Sequence, residues 1–376
     1  MKPESRAGEI ERLAGVVGRY DPRTVMVFSG GKSYETSGAA AAIEPLIADL
    51  RITRVSEIAA NPDLAAVESA IEEYREDPPD LVLAVGGGSV IDLAKSTRAL
   101  APQPFPPRSL IAGTSPMIAS GAPLVAIPTT AGTGAESTHF AVVYVDGVKR
   151  SLSHESIRPD AHIIDPVLTY SVPPAVTAHT GLDALSQAIE SWWSIRSNDA
   201  SLRLARNAVA YAISALEDAV LRPGPDSRAL MCEASHLAGC AIDITRTTAA
   251  HAMSYTLTGT YGVPHGHAVA LMLGPVFDYN AAVSDSDCAD KRGPEYVTET
   301  LGEIAGSLGA PSASDTHELI VNLISSIGLD TTLDGVGAGS SEARHRIAAS
   351  VDADRLSGNP RTFSPAEVES LISAIP

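Results

Sequence analysis

Short apolar runs alternate with helical spacing over the first half of the chain. Val25–Phe28, Leu81–Val85 and Leu124–Ile127 end respectively in Ser-Gly-Gly, in Gly86-Gly87-Gly88 and in Pro128. Runs that are apolar at every position fit strands covered on both faces. Ala141–Val145 and His162–Ile164 read as edge or hairpin strands, and helical spacing covers Tyr34–Ala41, Leu64–Tyr74 and Val90–Ala99. This alternation predicts a parallel sheet with helices on both faces. After Asp165-Pro166 the texture changes. TYSVPPAVTAHTG, with Pro173 and Pro174 adjacent, leads into Ala/Leu-rich stretches at Ala178–Trp193, Ala200–Leu216, Ser227–Ile242, Ala250–Thr258, Ala268–Ala282 and Val297–Leu308. The expected architecture is an α/β domain over 1–170 and an all-helical domain over 171–376. No internal repeat is present, and Asp330–Ser341, rich in Gly, Asp, Ser and Thr, reads as a surface loop.

Composition narrows the classes. With 376 residues, 44% of them hydrophobic and 19% charged, the chain can bury two cores and has the balance of a soluble enzyme. A formal charge of −18 with no basic stripe argues against nucleic acid as a partner. The same charge means that an anionic ligand needs local cations. Cys232, Cys240 and Cys288 form no CxxC pair and no disulfide framework, which suits a reducing cytoplasm. The polar start, MKPESRAGEIERLAG, lacks a signal region, and no apolar run is long enough for a membrane span. The expected location is therefore cytoplasmic, away from the membrane.

Two turns suit a dinucleotide. Leu81–Lys95 reads LVLAVGGGSVIDLAK: a strand, then Gly86, Gly87, Gly88 and Ser89, then a helix. Glycines let backbone N–H groups approach a pyrophosphate, and the helix N-terminus adds partial positive charge. A tight turn with no ligand is the bland alternative. Pro128–Ser137, PTTAGTGAES, offers Thr129, Thr130, Thr133 and Ser137 as donors to phosphate, ribose or carboxamide oxygens. Two such loops at strand ends predict one crevice along the carboxyl edge of the sheet. After the first strand, Gly30 and Lys32 precede any acid until Glu35, which favours the 2′-phosphate of NADPH over the bare ribose of NADH. A solvated surface lysine is the competing account of Lys32. Asp92 and Lys149 complete the expected cofactor contacts.

The helical half holds the metal candidates. Asp183 and Gln187 are four apart and share a helix face; His251 sits in HAMSY, and His265 follows a Gly262/Pro264 break. One carboxylate, one amide oxygen and two imidazoles suit Fe²⁺ or Zn²⁺ with a position left for substrate. Asp183 as a helix cap and His265 as a turn histidine remain open. His267, two residues beyond His265, points away on a helix and suits a supporting or packing role.

Taken together, GGGSVIDLAK, PTTAGTGAES, IIDPVLTYSVPP and HAMSYTLTGTYGVPHGHAVA resemble, in order, the motifs of the iron-containing (group III) alcohol dehydrogenases. The resemblance spans nearly the whole chain. It implies a dehydroquinate synthase-like fold, with a Rossmann-like NAD(P) domain followed by a helical domain and a metal in the cleft between them. Asp183, His251 and His265 fall on the family's ligand positions, while Gln187 stands where His is usual. Tyr255 stands where many members carry a further histidine, so the usual proton relay is missing. DALSQAIESWWS, HAMSY with GVPHGHAVAL, and GGKSYETSG are similar to the phosphonoacetaldehyde reductases (hydroxyethylphosphonate dehydrogenases) of phosphonate biosynthesis, in which Gln at this position is usual.

The resemblance therefore implies NADPH-dependent, metal-assisted reduction of a small aldehyde to a primary alcohol. Asp183, His251 and His265 carry the catalysis, Tyr255 is a possible proton donor, and Arg246 with Lys149 is the expected site for a phosphonate. A homodimer is the expected assembly. Competing readings are another short-chain alcohol dehydrogenase, a metal-independent maleylacetate-type reductase, a sugar-phosphate cyclase and a non-catalytic nucleotide binder. PTTAGTG followed by HAMSY and PHG speaks against the cyclase.

Overall fold

The computed structural model describes residues 5–56 and 58–376. Contacts divide the chain into two compact units, one running through Val172 with Gly224–Cys232 added, the other Pro173–Pro223 with Glu233–Pro376.

The first unit is built on a five-stranded parallel sheet. Its strands are β1 (Thr24–Ser29), β2 (Arg51–Val55), β3 (Leu81–Gly86), β4 (Leu124–Pro128) and β7 (Ala161–His162), in the order β2-β1-β3-β4-β7. Side chains alternate across it. Val25, Val27, Leu81, Leu83, Val85, Val125 and Ile127 enter one buried cluster. Met26, Phe28, Val82, Ala84, Leu124 and Ala126 enter the other. A period of two with both faces apolar explains why these strands are hydrophobic throughout. β1 pairs with β2 on one side and β3 on the other, so the chain order reverses between β1 and β3. At such a point the loops part and leave a crevice beyond the strand ends.

Two strands escaped the apolar-run criterion. β2 is an edge strand carrying Arg51 and Arg54, with no position fully buried. β6 (Val148–Ser153) is mostly polar and is defined by its antiparallel pairing with β5 (Phe140–Val145). Between them, Asp146 (φ 53°) and Gly147 (φ 76°) both adopt the left-handed conformation that a tight two-residue hairpin needs. The helical spacing over Tyr34–Ala41 resolves into two helices, Gly31–Thr36 and Ala39–Ile47, separated at Gly38 with φ 82°.

The second unit is built from helices. Its main members are Pro174–Trp193, Asp199–Leu221, Ala249–Tyr261, His265–Ala281 and Pro294–Leu308. Pro174 opens the first at N1, where a missing N–H costs nothing. Asn198 and Ser201 form a capping box on the second. Four helices not marked by periodicity follow among the described residues: Thr316–Ser326, Ser341–Ala349, the short Ala353–Leu356 and Pro365–Ala374. The segment from Asp330 to Ser340 lies outside helices and strands. Among the described residues no helix is long and apolar enough to cross a membrane, and the three cysteines are free thiols.

Candidate active site

Beyond β3 the chain turns at Gly86-Gly87 into the helix Gly88–Leu100, and no side chain caps that helix. The first N–H groups of a helix lack internal partners, so they present donors and partial positive charge to an anion. A Cβ on Gly87 would stand 3.2 Å from Thr130 Oγ1, and one on Gly88 would stand 2.7 Å from Thr133 Oγ1. Glycine at these positions lets the two loops approach each other closely. The amide of Thr129 donates to the Gly86 carbonyl (3.0 Å), and the amide of Gly30 donates to the Val85 carbonyl (3.2 Å). Gly30, Gly86–Ser89 and Thr129–Thr133 thus lie together at the carboxyl ends of β1, β3 and β4, where the strand order reverses. This backbone-lined cradle, closed to any larger residue at Gly88, fits a dinucleotide pyrophosphate.

The other predicted cofactor contacts have identifiable places. Lys32 is exposed in the first turn of the helix after β1. Ser89 Oγ accepts from the Asn61 amide (3.2 Å), and Ser137 Oγ donates to Glu136 Oε1 (3.2 Å). Asp92 accepts from the Val142 amide (3.0 Å), and burial raises its pKa against the pull of Lys95 and Lys149. Lys95 is completely buried, its ammonium donating to the Ala135 carbonyl, Thr138 Oγ1 and the Phe140 carbonyl at 2.6–2.8 Å. It ties the glycine-turn helix to the Thr-rich loop.

In the second unit one ligand atom each from Asp183, His251 and His265 lies within 4.8 Å of the others. Asp183 comes from the helix Pro174–Trp193, His251 from the first turn of Ala249–Tyr261, and His265 is the first residue of His265–Ala281. Asp183 and His251 are buried and His265 is half-buried. The imidazoles of His251 and His265 stand edge to face with centroids 5.4 Å apart, and His251 Nε2 lies 3.3 Å from Asp183 Oδ1. Gln187, one turn beyond Asp183, is buried, and its Oε1 has no hydrogen-bond partner. A buried amide oxygen without a partner, one helical turn from Asp183, suits a fourth donor to a cation. The residues present therefore fit Fe²⁺ or Zn²⁺.

Close approach of the helices depends on Gly266. A Cβ there would overlap the carbonyl oxygen of His179 and stand 2.9 Å from Asp183 Cβ. Tyr255 stacks on His265 with centroids 6.2 Å apart. His267 lies outside the triad, its Nε2 2.6 Å from the Asp330 carbonyl oxygen. Arg246, half-buried, precedes the His251 helix and holds a left-handed φ of 64°, a strained conformation for a non-glycine residue.

Sequence reasoning missed Glu190. It is fully buried, and its Oε1 accepts from the amides of Thr248 (3.1 Å), Ala250 (2.9 Å) and His251 (3.3 Å) and from Thr248 Oγ1 (2.8 Å). Its Oε2 contacts His251 Nδ1 in a short hydrogen bond. Burial by itself disfavours an imidazolium, but Glu190 and Asp183 outweigh it and hold His251 up to about 9. A signal was present: Asp183, Gln187 and Glu190 are spaced i, i+4, i+7 and so share one face of the helix.

Residues 4–166 match the family model "Iron-containing alcohol dehydrogenase" and residues 177–375 match "Fe-containing alcohol dehydrogenase family, C-terminal". The phosphonoacetaldehyde reductase of Streptomyces viridochromogenes is 36% identical over 309 residues, covering 79% of this chain and 76% of that one. Long-chain-alcohol dehydrogenase 1 of Geobacillus thermodenitrificans is 32% identical, covering 85% of this chain and 80% of that one. Among solved structures, the sulfoacetaldehyde reductase of Bifidobacterium kashiwanohense in complex with NAD+ superposes with a TM-score of 0.86 at 26% identity, covering 100% of this chain and 98% of that one. The iron-containing alcohol dehydrogenase of Thermotoga maritima gives 0.84 at 27%, covering 99% and 97%. These matches agree with the parallel sheet and the helical second unit, and the chain belongs to the iron-containing alcohol dehydrogenase family.

Proposed function

We propose that this enzyme reduces phosphonoacetaldehyde to 2-hydroxyethylphosphonate, consuming NADPH and one proton. The observation that carries this reading is the gathering of Asp183, His251 and His265 within 4.8 Å, with the unpartnered Oε1 of Gln187 one turn away. When bound, a reduced nicotinamide supplies the hydride, and a divalent cation draws electrons from the carbonyl and stabilises the developing negative charge. Asp183 would hold that cation as an anionic ligand, and His251, His265 and Gln187 would hold it as neutral donors, a set that would leave it a strong Lewis acid. Tyr255, stacked on His265, is the chain's own candidate for proton donation. Gly86–Ser89 hold the pyrophosphate, and Lys32 favours the 2′-phosphate of NADPH.

The substrate assignment draws on two relatives whose substrates are two-carbon aldehydes bearing a tetrahedral oxyanion. An anionic head group needs a cation that water does not fully satisfy. Burial, together with nearby Arg355 and Arg196, lowers the pKa of Arg246 against the pull of Asp243. Arg246, half-buried just before the His251 helix, is assigned to the phosphonate. A homodimer belongs to the same proposal and is checked by light scattering. The deciding experiment compares kcat/KM for phosphonoacetaldehyde, glycolaldehyde and propanal with NADPH and with NADH. A strong preference for the phosphonate, reduced in Arg246→Gln, is expected; equal values for charged and uncharged aldehydes overturn the substrate assignment. Full turnover after exhaustive chelation would instead favour the metal-independent mechanism.

A further inference from the structure

We infer that Glu190 is a positioning residue that sets which nitrogen of His251 faces the ligand cluster and holds it there, an inference that rests on the metal-centre reading above. The geometry is specific. Glu190 lies two helical turns beyond Asp183, on the same face, so one helix carries both the ligand and the support of its neighbour. Its two oxygens divide the work. Oε1 gathers four donors from Thr248, Ala250 and His251 and so caps the helix on which His251 sits, whose N-cap residue supplies no side-chain cap. Oε2 takes the hydrogen bond from His251 Nδ1. Nδ1 therefore keeps its proton on Glu190, and Nε2, 3.3 Å from Asp183 Oδ1, is the nitrogen turned to the cluster and the one left to give up a proton when a cation binds. Thr248 is itself pinned, since Trp193 Nε1 donates to its hydroxyl at 2.8 Å. The backbone position and the tautomer of the ligand are thus set by one buried carboxylate. Carboxylate partners of this kind orient metal-binding histidines and strengthen them as donors.

Glu190→Gln separates the two roles. The carboxamide oxygen still accepts the backbone amides and the Thr248 hydroxyl, but its NH₂ now faces Nδ1 and favours the tautomer with the proton on Nε2, which cannot bind a metal. Zn²⁺ and Co²⁺ affinity, measured by chelator competition, should fall by about 10–100-fold, with an altered Co²⁺ visible spectrum. NADPH affinity and near-UV circular dichroism should stay as in the wild type. Unchanged metal affinity in Glu190→Gln overturns the inference, whereas failure of the wild type to bind either ion overturns the metal-centre reading itself. Should the variant not fold, ¹⁵N-imidazole spectra of the zinc-loaded wild type decide: the proton on Nδ1 and zinc on Nε2 of His251 are expected, and the reverse assignment refutes it.

Discussion

Gly266 and His179 touch across two helices so closely that any side chain at 266 would overlap the His179 carbonyl oxygen. Gly266 is the residue after His265 and His179 lies four residues before Asp183, so this backbone contact sets how closely Asp183 and His265 approach. The Pro-His-Gly sequence is therefore a packing device as well as a ligand motif.

Gly266→Ala should push the His265 helix off the Asp183 helix. Overpacking of this kind costs ~1–3 kcal/mol, and the displaced imidazole should also weaken metal binding. Calorimetry together with metal analysis checks both effects. A stable variant with full metal content would show that the contact yields without cost.

Asp183→Ala should abolish reduction because it removes the only anionic ligand and leaves His251 Nε2 without its 3.3 Å partner. Binding of NADPH, assigned to the first unit, should persist by fluorescence titration. Joint loss of cofactor binding would make Asp183 a structural residue.

Gln187→His should tighten metal binding. Imidazole is the better donor to late first-row ions, and a gain of at least about tenfold, or ~1.4 kcal/mol, is expected. Chelator competition on the two proteins measures it. Equal affinities would place residue 187 outside the coordination sphere.

Alkaline stability follows from Cys232. Burial raises this thiol, from an ordinary value of 9.0 to about 12, as do Glu136 and Asp165, against a hydrogen bond with Thr169 and the charge of Arg228. Above about pH 9 the unfolded chain releases this proton while the folded chain retains it. Stability is therefore whole below pH 9 and falls as pH rises towards 12, with a limiting slope of about 1.4 kcal/mol per unit from this group. Urea unfolding at pH 8, 9 and 10 should show the loss, and Cys232→Ala should lessen the slope. Identical slopes in both proteins would assign the loss to other groups, such as the buried Tyr34, whose pKa burial also raises.

Much of this molecule was legible in one dimension. β1, β3 and β4 announce themselves because strands buried on both faces are apolar at every position, and the long helices because their spacing repeats. β2 and β6 did not, since an edge strand and a polar hairpin strand take their conformation from their partners; only Asp146-Gly147 marked the turn. Asp183, Gln187, His251 and His265 could be named from spacing and resemblance. Glu190 was passed over because its partners, Thr248 to His251, lie about sixty residues away along the chain.

By itself the sequence determined the order of the elements, the two glycine and threonine turns, and the kinds of ligand available to a cation. Those follow from periodicity and from side-chain chemistry, which are local. Only the tertiary structure decided that Gly87 and Gly88 meet Thr130 and Thr133, that Asp183, His251 and His265 converge, and that a buried glutamate bonds to one of them. Helix packing makes those contacts, and it depends on close approach between segments far apart in the chain, which no local pattern encodes.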